Sequence, residues 1–281
     1  MRRSLLFIPG NNPGMLQTAE VFEADSIIID LEDAISLFDK DSARNLTKSF
    51  LETFPMQKEV IIRINSIDSE YFIKDLESIV TDFIDTIMLP KAMPDDLIKL
   101  DVLLTKIEKE KKLKKKINVI ALVELAESVL KIEEIVKMPR VDGVLLGAED
   151  LASDMEVVRT KDSVEILYPR AKVALACIAA KIEAIDTPFT STLDTDGLLT
   201  DSYLAKSLGF KAKACIHPNQ VTHINNVFSP SLVQIEYALR VLEGAKNNTK
   251  GAFSIDNKMI DKPIIERSLK IINRAKSFGL L

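Results

Sequence analysis

The sequence contains no tryptophan, two histidines and two cysteines among its 281 residues. So few imidazole groups exclude a histidine-rich metal site. The cysteines, Cys177 and Cys215, both lie in apolar stretches, which predicts buried free thiols rather than a disulfide. Free thiols suit a reducing compartment, so a cytoplasmic protein is expected.

Long apolar runs are also missing. No stretch approaches the roughly 20 residues that span a bilayer, so no membrane segment is predicted. The amino-terminal segment 1–10 superficially resembles a signal peptide, but its apolar part is short, and Pro9 and Gly10 end it without a small-residue cleavage site. This segment is more typical of a first β-strand.

Several sequence motifs are absent as well. There is neither a GxGxxG sequence nor a P-loop, which argues against nucleotide-dependent redox or kinase chemistry. No serine or cysteine has the spacing of a nucleophile elbow, so triad chemistry is unsupported. The net charge of −5 and the pI of about 5.3 supply no broad basic surface, so no nucleic-acid partner is expected.

Short apolar segments of β-type alternate along the chain with longer segments of helical periodicity. Eight strands, each followed by a helix, predict an α/β fold, a closed (β/α)8 TIM barrel. An open doubly wound sheet is the alternative, which the strand count and the lack of a Gly-rich loop after the first strand disfavour. The candidate strands are Ser4–Pro9, Ser26–Asp30, Glu59–Asn65, Thr86–Pro90, Ile117–Glu124, Gly143–Gly147, Ala184–Pro188 and Ala214–His217.

The pattern changes after the eighth strand, which predicts two parts. Residues 1–228 would form the catalytic barrel, and residues 229–281 a short C-terminal extension of helices and a hairpin. A barrel does not need this extension, so a lid or an oligomer contact is expected. Its predicted parts are a helix over Ser231–Ala245, a turn-rich linker over 247–252, a hairpin around Asp256–Lys258 and a helix over Ile264–Lys276.

Charged and polar residues stand where most of the predicted strands end. In a barrel the catalytic groups collect at the carboxyl ends of the strands. Packing alone does not account for so many charged residues at that edge. The strand ends read Asp30-Leu-Glu-Asp33, Arg63-Ile-Asn65, Pro90-Lys91, Glu124, Asp150 and Ile216-His-Pro218.

Glu124 and Asp150 follow neighbouring predicted strands. Two carboxylates so placed can share one hard cation such as Mg²⁺, with water and substrate completing an octahedron. The alternative is that Glu124 caps the start of the helix that follows it and that Glu149 or Asp150 does the same for the next helix.

Arg63 offers a planar fork to a substrate carboxylate or to a developing oxyanion. Its alternative is a structural ion pair with the acidic segment 30–33, and the two roles can coexist. Asp30 would hold Arg63 or a water on the metal, and Asp33 would be a helix-start acid. Lys91 contacts a substrate oxygen in one interpretation and is a surface lysine in the other.

Two further features have structural interpretations. The lysine-rich run 106–116 is predicted to be a solvated helix end, whose cations suit the helix dipole. The alternative is a docking patch for an acidic partner or a phosphorylated carrier. A lone histidine at a strand end, His217, is predicted to be structural.

Seven motifs in the same order along the chain resemble those of the citrate lyase beta-subunit family, within the HpcH/HpaI aldolase superfamily. That family includes malyl-, citramalyl- and related acyl-CoA lyases. The resemblance covers nearly the whole chain. The motifs are Arg3-Ser-Leu-Leu-Phe-Ile-Pro-Gly10, Asp30-Leu-Glu-Asp-Ala34, Arg63-Ile-Asn65, Leu89-Pro-Lys91, Gly147-Ala-Glu-Asp-Leu151, Asp186-Thr-Pro188 and Ile216-His-Pro-Asn-Gln220.

The resemblance implies a barrel that binds Mg²⁺ through Glu124 and Asp150 and cleaves a carbon–carbon bond in a 3-hydroxyacyl thioester. Arg63 would bind the oxo-acid portion. Asp261 would be an acid or base placed over the site of a neighbouring subunit in a homo-oligomer, a trimer or hexamer. The alternative for Asp261 is the N-cap of the last helix.

The implied reaction converts a citryl thioester on an acyl carrier protein into oxaloacetate and an acetyl thioester, with citrate lyase alpha and gamma subunits as possible partners. The alternatives are a malyl-CoA or citramalyl-CoA lyase, or a malate synthase-like enzyme, acting on free acyl-CoA, and a non-catalytic barrel that binds an oxo acid. Two positions depart from the family pattern. Leu125 replaces a threonine, and Ala212 replaces a glycine, which predicts a narrower approach of the backbone to a ligand.

Overall fold

The structure, a computed structural model, describes residues 1–247, 253–256 and 258–281. The described residues form two compact units. One unit is Arg2–Val227, and the other consists of Phe228–Leu281 together with Met1. The predicted linker at 248–252 lies outside the described residues. No helix in the described part of the chain combines the length and the apolar character needed to cross a bilayer.

The first unit contains a closed barrel whose strands follow one another in chain order and pair in parallel. This confirms the predicted (β/α)8 TIM barrel and rules out the open sheet. The strands are β1 Ser4–Pro9, β2 Ser26–Asp30, β3 Glu59–Arg63, β4 Thr86–Leu89, β5 Asn118–Val123, β6 Val141–Leu146, β7 Glu183–Asp186 and β8 Ala212–Cys215.

Helices follow the strands and continue into the second unit. In the described residues they are α1 Pro13–Thr18, α2 Lys40–Thr53, α3 Phe72–Ile79, α4 Pro94–Lys111, α5 Ala126–Leu130, α6 Ile132–Ile135, α7 Ala148–Asp154, α8 Leu167–Ala180, α9 Thr195–Leu208, α10 Val221–Phe228, α11 Leu232–Asn247 and α12 Lys262–Ser277.

The barrel interior is filled by apolar side chains from all eight strands. Because side chains alternate between the two faces of a strand, every second residue of each strand points inward. The residues between them face the surrounding helices, which explains why these strands read as continuous apolar runs. The inner cluster consists of Leu5, Ile28, Ile61, Met88, Ile120, Leu122, Leu145, Ile185, Ala212 and Ala214, with Phe7 packed against it.

Several predicted strands end earlier than expected at the carboxyl edge, which we call the mouth of the barrel. Asn65, Pro90 and Glu124 were expected within strands but follow them. The chain leaves the ladder there to turn into the next helix, and Lys91 takes a left-handed backbone conformation with φ of 50°. Apolar character continues past the last paired residue, so composition alone extends these strands.

The opposite end of the barrel is closed by a buried ion network. The guanidinium of Arg2 donates to Glu59 at 2.6 and 2.7 Å, to Asp142 at 3.0 Å and to Glu183 at 2.9 Å. These acids belong to β3, β6 and β7. One cation therefore joins three strands at the end where barrels carry stability rather than catalysis.

The second unit is built on two packed helices and a hairpin. Buried Ile235 and Ala238 of α11 meet Ile272 and Ala275 of α12. The strands β9 Phe253–Ile255 and β10 Lys258–Ile260 pair in antiparallel fashion, as the predicted hairpin requires.

Candidate active site

The charged side chains at the strand ends face the centre of the mouth, because side chains along a strand alternate between its two faces. Ile61 and Leu122 face the barrel interior, so Arg63 and Glu124, two positions further on, face the same side. Asp30 lies on the inward face of β2 by the same rule. The sequence therefore fixes which carboxyl-end residues can meet above the core.

A cavity of about 170 Å³ opens at the mouth above the apolar core. It brings Arg63, Glu124 and Asp150 to one space, as predicted. Leucine, phenylalanine and isoleucine side chains form much of its wall, so charges in it are poorly solvated. Its lining residues are Phe7, Asp33, Arg63, Leu122, Glu124, Leu145, Gly147, Ala148, Glu149, Asp150, Thr187, Pro188, Thr190 and Ile216.

Arg63 is held by the acidic segment after β2. Its Nε and Nη2 donate to the two oxygens of Asp30 at 2.7 and 2.6 Å, and Nη1 donates to Asp33 at 3.3 Å. Burial opposes the charge of Arg63, but the hydrogen bonds and the charge of Asp30 outweigh it and raise the pKa of the guanidinium. The predicted ion pair is thus present. These three bonds use three of the five guanidinium N–H groups.

Glu124 is buried, with 3% of its surface exposed, and its Oε1 accepts a hydrogen bond of 2.8 Å from the backbone N–H of Lys91. Burial is the main reason that the pKa of Glu124 rises to about 8, and the charges of Glu32 and Asp150 add to the effect. The predicted alternative, a cap on the following helix, is wrong for Glu124. Leu125 occupies the N-cap position of α5, and its N–H donates to the hydroxyl of Ser128 at 3.1 Å.

Glu32 belongs to the site more closely than the sequence indicated. It is buried, its carboxylate lies 3.2 Å from Nη1 of Arg63, and its charge acts on Glu124. Burial raises the pKa of Glu32 to about 7, and the charges of Asp33 and Asp30 act in the same direction. The sequence offered only the acidic run Asp30–Asp33 as a signal, because the electrostatic interaction with Glu124 joins residues far apart in the chain.

Asp150 lies in the first turn of α7 and is half-buried at the cavity wall. Gly147, which precedes the helix, leaves the space that Glu124 occupies. A Cβ atom at Gly147 would stand 2.7 Å from both Cβ and Oε2 of Glu124. The small residue therefore brings the start of α7, and with it Asp150, close to the other proposed ligand.

The residues at the mouth fit a divalent cation. The mouth holds one arginine together with the three acids Glu32, Glu124 and Asp150, so acidic groups are in excess. A bound cation would offset the repulsion from Glu32 and Asp150 that helps to raise the pKa of Glu124. The described residues contain no group of three or more His, Cys, Asp or Glu side chains arranged around one metal position. Two carboxylates with water and substrate are a usual set for Mg²⁺, which keeps part of its hydration.

Three other predicted residues make contacts of their own. The side chain of Lys91 is exposed, its backbone N–H donates to Glu124, and its charge lowers the pKa of Glu32, against the larger effect of burial. Asp261 belongs to the second unit, where its side chain caps α12 by accepting from the N–H of Ile264 at 3.2 Å. His217 is exposed and pairs with Asn219.

The expected effect of Ala212 on ligand approach is wrong. Ala212 begins β8 and is fully buried in the inner cluster, so its Cβ faces other core side chains. It is not part of the cavity wall among the described residues. The position belongs to core packing.

Residues 3–218 match the family model for HpcH/HpaI aldolase/citrate lyase, a range that includes the whole barrel. The chain belongs to this family. Within it, the chain is similar to the citrate lyase subunit beta of Leuconostoc mesenteroides subsp. cremoris, with 37% identity over 100% of this chain and 95% of the relative.

Two further relatives of this family member extend the comparison. The mitochondrial citramalyl-CoA lyase of Mus musculus is 32% identical over 98% of this chain and 86% of its own. The protein CitE from Mycobacterium tuberculosis, solved with magnesium, acetoacetate and coenzyme A, superposes with a TM-score of 0.80 at 29% identity and 98% coverage of both chains.

Proposed function

We propose that this family member is a Mg²⁺-dependent carbon–carbon lyase that cleaves a citryl thioester to oxaloacetate and an acetyl thioester. The observation that carries the proposal is the convergence of Glu124, Asp150 and Arg63 on one cavity. Similarity to a citrate lyase subunit beta and to a structure solved with magnesium supports it.

Glu124 and Asp150 would hold the ion, which acts as a Lewis acid toward the oxygens of the oxo-acid half. Arg63, held in place by Asp30 and Asp33, would donate to the same half. Asp30 fixes the plane of the guanidinium through two short hydrogen bonds, so little reorganisation is needed when charge develops on the substrate.

Cleavage needs one base and one acid. The base removes the hydroxyl proton, the electrons of the carbon–carbon bond pass to the thioester as an enolate, and the acid protonates the enolate carbon. We assign the role of acid or base in these two proton transfers to Asp261, which a neighbouring subunit of a homotrimer or hexamer would supply. The C-terminal unit would then be both an oligomer contact and a lid.

Free acyl-CoA is the alternative carrier. Similarity to a citramalyl-CoA lyase and to a structure holding coenzyme A favours it. Comparing turnover of citryl, citramalyl and malyl groups on coenzyme A and on an acyl carrier protein separates the two. Preference for the carrier protein would support a complex with alpha and gamma subunits. The buried free thiols Cys177 and Cys215 are consistent with the expected cytoplasmic location.

Substitution of Glu124 tests the proposal. Glu124→Ala removes one of two protein ligands, so calorimetry should show loss of Mg²⁺ binding together with loss of turnover. Glu127→Gln, at an exposed residue in the first turn of α5, is the control and should retain both. Full activity of the original protein in excess EDTA would contradict a metal-dependent lyase, and oxo-acid binding without cleavage of any thioester would favour the non-catalytic barrel.

A further inference from the structure

Four buried charged residues form a cluster behind the mouth, between the barrel and its outer helices. Asp186 of β7 and Lys213 of β8 lie on the outward face of paired strand positions. They meet Arg170 of α8 and Asp201 of α9. Arg170, Asp186 and Lys213 are fully buried, and Asp201 is 6% exposed. We call these four residues the buried ion quartet.

The quartet is joined by short, charge-assisted hydrogen bonds. Lys213 Nζ donates to Asp186 at 2.5 Å and to Asp201 at 2.6 Å. Arg170 donates to both oxygens of Asp186 at 3.0 Å and to Asp201 at 2.7 Å. Two cations balance two anions. A buried ion network gives little net stability compared with apolar packing, so its geometry calls for another explanation.

A third bond from Lys213 leads toward the cavity. Its Nζ donates to the backbone carbonyl of Thr187 at 2.7 Å. The side chain of Thr187, 1% exposed, in turn accepts the N–H of Ala148 at 3.2 Å. Ala148 is the first residue of α7, and Asp150 lies two residues further on.

The start of α7 depends on this distant acceptor. The first N–H groups of a helix have no partner within the helix, and a side chain at the N-cap usually satisfies one of them. Gly147 occupies the N-cap of α7 and has no side chain to do so. The hydroxyl of Thr187, which is 39 positions from Ala148 in the chain, accepts the N–H of Ala148 instead.

We propose that Thr187 is a positioning residue, held by the buried ion quartet, that fixes the start of α7 and so sets Asp150 against Glu124 for metal binding. The inference rests on the proposed function, because it takes these two carboxylates as the Mg²⁺ ligands. It goes further in assigning a role to a residue that donates no ligand atom. Loss of such a supporting contact typically weakens metal affinity about 10- to 100-fold.

The test removes the hydroxyl at nearly constant volume. Thr187→Val leaves the N–H of Ala148 buried without its acceptor, and calorimetric titration of the full-length protein with Mg²⁺, without substrate, should show about tenfold weaker binding. Thr187→Ser keeps the acceptor and should bind Mg²⁺ as the original protein does. Saturating Mg²⁺ should restore most of kcat in Thr187→Val, because the ligands themselves are unchanged.

A matched control lies at the other end of the barrel. Thr86 is fully buried and donates to Glu59 at 3.1 Å, so Thr86→Val removes a buried hydroxyl far from the cavity and should leave Mg²⁺ affinity unchanged. Thr187→Ala removes the same acceptor with different packing and should weaken Mg²⁺ binding as Thr187→Val does.

The outcomes separate this inference from the proposed function. If the original protein binds no Mg²⁺, or Glu124→Ala binds it equally well, the metal site itself is wrong. If Glu124→Ala abolishes binding while the folded Thr187→Val and Thr187→Ala proteins bind like the original, only the role of Thr187 is overturned. Equal weakening in Thr187→Ser and Thr187→Val would also overturn it, because the hydroxyl would then not be the cause.

Discussion

Gly147 shows how one missing side chain shapes the site. A methyl group there would overlap Glu124 at 2.7 Å, so Gly147→Ala must displace the carboxylate or the start of α7. A shift of about 1 Å in a reacting group can cost about 10²-fold in rate, and we expect a loss of that order in kcat/KM, together with weaker Mg²⁺ binding.

A second glycine provides the control for this change. A Cβ at Gly14 would meet only the side chain of Asn12 at 3.6 Å, an ordinary contact. Gly14→Ala should therefore keep the activity of the original protein. Equal activity of the Gly147→Ala and Gly14→Ala proteins would show that the mouth has more room than the close approach of Gly147 and Glu124 indicates.

The raised pKa of Glu124 also makes the stability of the metal-free protein depend on pH. Its pKa rises from an ordinary 4.5 to about 8 in the folded state, so the folded protein holds a proton that the unfolded chain releases. The resulting stabilisation is complete below about pH 4.5 and disappears as the pH rises through about 8. Glu32, with its pKa raised to about 7, acts in the same direction.

Urea unfolding in EDTA from about pH 6 to about pH 8.5 measures this effect. The free energy of unfolding should fall as the pH rises, and the Glu124→Gln protein should show a shallower fall because one such proton is gone. Mg²⁺ affinity should increase over the same range, since the ligand must be ionised. Parallel pH curves for the two proteins would contradict the raised pKa of Glu124.

At the residue scale, the sequence predicted the site where function depends on strand position. Arg63 and Glu124 follow inward-facing core residues, and that alternation is visible in the sequence. The sequence did not show that Lys91 contributes its backbone N–H, because this requires the positive φ of the turn. The interaction of Glu32 with Glu124 and the contact of Thr187 with Ala148 were missed, because these partners lie far apart in the chain and meet only after the barrel closes.

At the scale of elements, α4 explains the lysine-rich run. A helix that links parallel strands returns to the end where the next strand starts, so the last turn of α4 lies opposite the mouth. There Lys111 donates to the carbonyl of Val80 at 3.0 Å, and Lys115 pairs with Asp85 at 2.5 Å. These contacts fit the predicted helix end, and the docking patch for an acidic partner or a phosphorylated carrier stays a prediction.

The helix α7 shows where periodicity is insufficient. It has seven residues, Ala148–Asp154, and its first turn carries the acidic pair Glu149 and Asp150. One of these acids was an alternative cap in the sequence analysis, but the observed acceptor for the N–H of Ala148 is the hydroxyl of Thr187, which follows β7. A short helix is weakly specified by its own sequence, so a neighbouring loop can determine its start.

At the scale of the whole molecule, the barrel was predictable because the pattern of an apolar strand followed by a helix occurs eight times in the sequence. Each strand contributes an apolar run buried on both faces, and errors of one or two residues at strand ends do not change the count. The second unit lacks such repetition. Its hairpin and helices were predicted. Whether they complete an active site depends on how subunits assemble, and no local pattern in one chain specifies this.

Subunit mixing tests whether Asp261 acts in a neighbouring subunit. Asp261→Asn removes the proposed proton transfer while keeping a favourable N-cap for α12, so the variant should fold and be inactive. Glu124→Ala is inactive for a different reason. If each site combines the barrel of one subunit with Asp261 of another, coexpression at equal levels should restore roughly a quarter of the original activity, because random assembly pairs the two intact parts at that frequency.

Separate expression followed by mixing without subunit exchange is the control and should restore nothing. Coexpressed hetero-oligomers that stay inactive would place Asp261 in the site of its own subunit. Asp261→Ala separates a catalytic role from the cap when compared with Asp261→Asn, because Ala also removes the cap, which costs about 1 kcal/mol. Equal activity of Asp261→Asn and the original protein, with a lower melting temperature for Asp261→Ala alone, would leave the residue only its observed role at the start of α12.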